Sequence, residues 1–161
     1  MKKREIISAL LGTMIGGIGG SIAAGSSLSK NVEKWRNMSD KHLELFLLMN
    51  EWMKTKQEGR HIKEYFEKNG YISVAIYGLS YIGERLIDEL KESGIEVKYA
   101  IDKNANSIYS DLEVYLPEDG FPDVDVIVVT AISFFDEIYD LLVGKIDCAI
   151  VSLQDILYEL S

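Results

Sequence analysis

Gly78, Ser80 and Gly83 stand in the spacing G-x-S-x-x-G, after the β-rich run 72–77 and before a helical pattern that opens at Tyr81. Strand–turn–helix is the context in which G-x-G-x-x-G binds a pyrophosphate. The first glycine permits the tight turn, the second the close approach of backbone to phosphate, the third the packing of helix on strand. Ser80 replaces the middle glycine. Its side chain either crowds the phosphate or donates a hydrogen bond to it, and the competing use is a helix N-cap. Tyr81 opens the helix and belongs to the same turn. Asp102 ends the next β-rich run, 24 residues after Gly78, where an acidic residue binds a ribose diol. The competing use there is an Asx turn at Asp102-Lys103-Asn104. Thr130 ends the apolar run 124–130 and Ser133 follows it. They add polar groups to the same crevice, with helix capping as the alternative for Ser133.

Catalytic sets are incomplete. Tyr99 and Lys103 have the Tyr-x-x-x-Lys spacing of short-chain oxidoreductases, but they fall on a strand and the loop after it, not on one helix face. His42 and His61 both precede the glycine turn, so no Ser/His/Asp set forms around it. They read as surface residues, and their spacing suits no metal motif. Cys148 lies in an apolar strand and reads as a small buried residue. One cysteine makes neither an internal disulfide nor a thiolate zinc site. Asp123 and Asp125 flank a strand entrance and read as guards against edge aggregation rather than metal ligands.

Elements that position these residues follow from the apolar pattern. Strands are predicted at 72–77, 95–101, 112–115, 124–130 and 148–151. Helices are predicted at 81–92, 134–143 and 153–160. Continuous apolar runs such as Val124 to Thr130 suit strands buried on both faces. Alternating strands and helices imply βαβ units, a parallel sheet and right-handed crossovers. The expected fold is α/β, a small Rossmann-like domain at 70–161 with strand order 3-2-1-4-5.

The preceding 69 residues have another character. They carry 12 basic and 8 acidic residues, against 5 and 18 in residues 70–161, within a net charge of −9 over 161 residues. The acidic total argues against nucleic acid as a partner. No charge occurs from Ile6 to Ser29, and six of the 13 glycines fall before residue 30. A helix of that length is long enough for a bilayer core of about 30 Å. Residues 1–30 therefore read as a membrane helix, with Gly12, Gly16 and Gly20 forming a small-residue stripe for a second helix of the same or another protein. A cleaved signal peptide, with Ser21-Ile22-Ala23 as its small-x-small site, is the competing reading. A glycine-rich soluble loop is the third. Basic residues flank the run on both sides, so charge does not orient it. A cytoplasmic C-terminal domain is inferred from the domain type.

Residues 31–69 read as a helical connector. Ser39 or Asp40 is the expected N-cap of an amphipathic helix 40–58 ending near Gly59, followed by a short helix 61–68 stopped at Asn69-Gly70. Trp35, Trp52 and Tyr65 suit either lipid headgroups or packing on the next domain.

The runs Val74-Ala75-Ile76-Tyr77-Gly78 … Gly83, Tyr99-Ala100-Ile101-Asp102-Lys103-Asn104 and Val124-Asp125-Val126-Ile127-Val128-Val129-Thr130 together resemble small Rossmann-like domains of bacterial capsule and exopolysaccharide biosynthesis proteins. Such domains are attached to sugar acetyltransferases, membrane sugar-phosphate transferases and capsule epimerases or dehydratases. The resemblance covers 70–161. It implies a nucleotide or nucleotide-sugar crevice near Gly78, Ser80, Gly83 and Asp102. The missing catalytic set favours a noncatalytic, membrane-anchored binding module that serves a polysaccharide-assembly enzyme; the alternative is a small NAD(P)- or nucleotide-sugar-dependent enzyme completed by a partner. Ser80 departs from the full dinucleotide fingerprint, which weighs against NAD.

Overall fold

The structure, a computed structural model, describes residues 32–161. The expected membrane helix and its Gly12, Gly16 and Gly20 stripe lie outside them. No helix among the described residues is long and apolar enough to cross a membrane. The chain divides into two compact units at Glu44/Leu45.

Helix α1 occupies residues 32–57. It does not begin at Ser39 or Asp40 as the capping residues suggest. Residues 31–57 contain no glycine or proline, and serine or aspartate inside a helix costs well under 1 kcal/mol, so the helix runs through them. Helix α2 (Lys63–Asn69) ends as expected, at Gly70 in the left-handed region with φ 72°. There follow β1 (Ser73–Tyr77), α3 (Tyr81–Leu90), β2 (Glu96–Ile101), β3 (Val114–Tyr115), β4 (Val126–Val129), α4 (Phe135–Leu142), β5 (Ala149–Ser152) and α5 (Leu153–Leu160). All neighbouring strands are parallel, and the order is β3-β2-β1-β4-β5. The α/β class and the expected strand order are thus the observed ones.

Every residue of β1 and β4 is buried, which is why residues 74–77 and 126–129 read as unbroken apolar runs. One sheet face carries Val74, Ile76, Val126 and Val128 against Leu86 and Leu90 of α3, Ile156 and Leu157 of α5, and Ile62 and Phe66 from the region of α2. Leu48 and Trp52 of α1 belong to this same core. The compact unit that holds the sheet therefore begins at Leu45 and takes in part of the connector. Each fully buried Leu, Ile or Phe contributes about 1.5–3 kcal/mol.

The other face carries Ala75, Tyr77, Tyr99, Ile101, Ile127 and Val129, met by Ile138 and Leu142 of α4. No helix lies between β3 and β4; residues 116–125 cross as an irregular strap. Phe121 of the strap stacks on Tyr99 with ring centroids 6.1 Å apart, and Tyr115 meets both rings edge-on. The Tyr99 hydroxyl donates to the Pro122 carbonyl at 2.8 Å, and Lys145 Nζ to the Pro117 carbonyl at 2.8 Å.

Candidate functional site

Parallel register sets the position of the site. Tyr77 pairs with Ile101 on one side and with Val129 on the other. The three central strands thus end level, and the next residue of each is Gly78, Asp102 and Thr130. Residues from three separate stretches of sequence meet at one edge because the strand ends coincide. It is the carboxyl edge, where open α/β sheets bind ligands.

The turn itself is tightly determined. Gly78 has φ 99°, a conformation that disfavours any side chain, and a Cβ there would lie 2.8 Å from Thr130 Oγ1. A Cβ on Gly83 would collide with the Gly78 carbonyl oxygen. Helix α3 therefore rests directly on the turn backbone, the packing role expected of the last glycine. Ser80 occupies the N-cap position, with extended backbone and no side-chain capping bond. Its own carbonyl accepts from Glu84 N at 2.9 Å, starting the helix. The Ser80 side chain is exposed and Tyr81 is 85% exposed. The first-turn amides of α3 have no partner inside the helix and carry the positive end of its dipole.

Asp102 is half-buried and tied to the turn. Oδ2 accepts from Leu79 N at 2.9 Å, and Oδ1 from Asn104 N at 2.8 Å. The second bond is the Asx turn that competed with ribose binding in the sequence; the first joins the end of β2 to the glycine turn. Each carboxylate oxygen accepts one backbone bond and keeps a lone pair for a hydroxyl donor. Thr130 is buried, and Oγ1 donates into the turn, 2.6 Å from the Gly78 carbonyl and 3.2 Å from that of Tyr77. It braces the turn rather than facing the crevice. Ser133 is exposed on a 3-10 turn, Ile132–Phe134. It lines a separate cavity of about 340 Å³ together with Gln154 and Asp155. The structure thus gathers Gly78, Ser80, Gly83, Asp102 and Thr130 about one turn and sets Ser133 beside it.

The sequence pattern marks Tyr77 only as a strand residue. Its hydroxyl is buried and, among the described residues, is the one buried side-chain polar atom without a hydrogen-bond partner. Burial pushes its phenol up, helped by the charges of Asp102 and Glu118, so it stays a neutral donor. The signal available in the sequence was a tyrosine as the last residue before the glycine turn. Tyr99 is likewise unsuited to proton transfer, since burial pushes its phenol up to about 12 and its hydroxyl is given to Pro122. Burial also pushes the Cys148 thiol up, away from the thiolate a nucleophile needs. No cluster of His, Cys, Asp and Glu able to hold a metal occurs among the described residues.

At the opposite sheet edge Asp125 acts as a clamp between β1 and β4. Oδ2 accepts from Ile72 N at 2.9 Å, Ser73 N at 2.8 Å and Ser73 Oγ at 2.9 Å. These bonds, led by the Ile72 amide, hold its carboxyl below the usual range.

A cavity of about 500 Å³ lies away from the turn, between the part of α1 after Leu45 and α3, lined by Met49, Trp52, Met53 and Arg85 among others. No protein-family model, curated protein or solved structure matches the chain.

Proposed function

We propose that this chain is a membrane-anchored, Rossmann-like accessory module that binds a nucleotide or nucleotide-sugar, in the service of bacterial polysaccharide assembly. The observation that carries the reading is the level ending of β1, β2 and β4, which sets the glycine turn, the α3 N-terminus and the Asp102 carboxylate at one edge. A phosphate at the first turn of α3 meets unpaired amides and a favourable dipole. Asp102 accepts from ribose hydroxyls. The edge offers hydroxyls, a carboxylate and amides but no histidine or activated cysteine, so binding is favoured over turnover. The anchor is the uncharged run 6–29, and the domain faces the cytoplasm.

The test is a thermal-shift panel on the full chain in detergent, with NAD, NADP, UDP, UDP-sugars and CoA. A rise in Tm with UDP or a UDP-sugar, lost in Asp102→Asn, is the expected result. No response to any member at millimolar concentration overturns the nucleotide reading.

A further inference from the structure

Tyr77 and Tyr99 lie on the sheet face met by α4 and the strap, and both are almost fully buried. Their hydroxyls are treated differently. The Tyr99 hydroxyl donates to the Pro122 carbonyl of the strap at 2.8 Å. The Tyr77 hydroxyl has no partner among the described residues, although a buried hydroxyl left unbonded bears the full cost of its lost hydration. The carbonyls where the chain leaves β3 for the strap already serve other donors. Tyr115 O accepts from Asp102 N at 3.0 Å, Leu116 O from Asp119 N at 3.0 Å and Pro117 O from Lys145 Nζ at 2.8 Å. Tyr77 is also the last residue of β1, directly before Gly78, so it stands at the edge that holds Asp102.

We propose that the Tyr77 hydroxyl is a second reader of the ribose, donating a hydrogen bond to the ribose oxygen whose own proton goes to Asp102. This deepens the nucleotide reading above and rests on it. The chemistry selects the ribose over the phosphates. The charges acting on the phenol are those of Asp102 and Glu118, and two carboxylates repel a phosphate oxygen. An uncharged oxygen is tolerated, and one that gives its proton to Asp102 becomes a stronger acceptor for the phenol. The hydroxyl is closed to solvent, so the bond forms when the strap gives way. Glu118, Asp119 and Gly120 at its tip are exposed and belong to no helix or strand, whereas the strands and α4 are regular elements.

The experiment compares wild type with Tyr77→Phe, as the full chain in detergent. It uses thermal melting without ligand and calorimetric titration with UDP and with inorganic pyrophosphate, which lacks the ribose. Removing an unbonded hydroxyl is expected to leave the ligand-free Tm unchanged or slightly raised. UDP affinity is expected to fall about five- to tenfold, and pyrophosphate affinity to stay as in wild type. A lower ligand-free Tm means that the hydroxyl is bonded within the resting protein and overturns the proposal. UDP bound equally by both proteins overturns it and leaves the nucleotide reading standing. Equal losses for UDP and pyrophosphate overturn the ribose assignment. A wild type without measurable binding of UDP overturns the proposal, and one that binds no nucleotide of the panel overturns the nucleotide reading as well.

Discussion

A glycine whose missing side chain is filled by its neighbour's backbone is a sharper constraint than a glycine in a loop. Gly83 is such a residue, because the Gly78 carbonyl occupies the place of its Cβ. Gly83→Ala is expected to destabilise the domain by about 2 kcal/mol, on the scale of overpacking, read as a lower denaturation midpoint. Asp125 gives a prediction in pH. Its carboxyl is depressed in the folded state by the Ile72 and Ser73 amides, so the stabilisation is fully present above the unfolded value near 3.9. It is lost as pH falls through the lower folded value. Asp125→Asn is expected to lower Tm at neutral pH and to flatten the acid limb of a Tm-versus-pH profile. These roles differ in how they could be read beforehand. The G-x-S-x-x-G spacing is local and marks its own turn. The bond from Leu79 N to Asp102 and the Asp125 clamp join groups 23 and 52–53 residues apart. No local pattern encodes a side chain that seeks a distant amide.

At the level of elements, α1 ties the connector to the sheet through Trp52. Its ring is 4% exposed, and Nε1 donates to Glu89 Oε2 at 2.7 Å. The Glu89 carboxylate also receives Lys56 Nζ at 3.0 Å and Ile62 N at 3.3 Å, so one α3 side chain gathers α1, α2's approach and α3. Trp52→Ala is expected to cost about 3–5 kcal/mol, measured by urea unfolding. Strands and helices after residue 70 were legible because each apolar run is bounded on at least one side by glycine, serine or aspartate and has one dominant period. The start of α1 was not, since Ser39 and Asp40 carry a capping signal that a longer helix simply overrides. Nor was the strap legible as a covering element. Its packing depends on Phe121 meeting Tyr99 and Tyr115, rings from two other strands.

For the whole molecule, the sheet and its helices form a unit that begins at Leu45 rather than at residue 70. A fragment 45–161 is expected to melt cooperatively. A fragment 70–161 loses Leu48, Trp52, Ile62, Tyr65 and Phe66 from the core. At about 1.5–3 kcal/mol each, that loss rivals the 5–15 kcal/mol stability of a typical domain, and the shorter fragment is expected to aggregate or stay unfolded in circular dichroism. Charge acts at the same scale. Residues 70–161 hold 18 acidic and 5 basic residues, a field that repels an anionic nucleotide and is screened by salt. Calorimetric affinity for a responding nucleotide is expected to rise with ionic strength or magnesium, opposite to the usual weakening of protein–anion binding. The strap between β3 and β4 has a further consequence. Its tip at Glu118, Asp119 and Gly120 is exposed, while the pieces on either side are joined by the β1–β4 ladder and by the packing of α2 on α5. A single proteolytic nick there would leave a two-part domain held by its own sheet, and the severed halves, expressed apart, would complement each other into one fold.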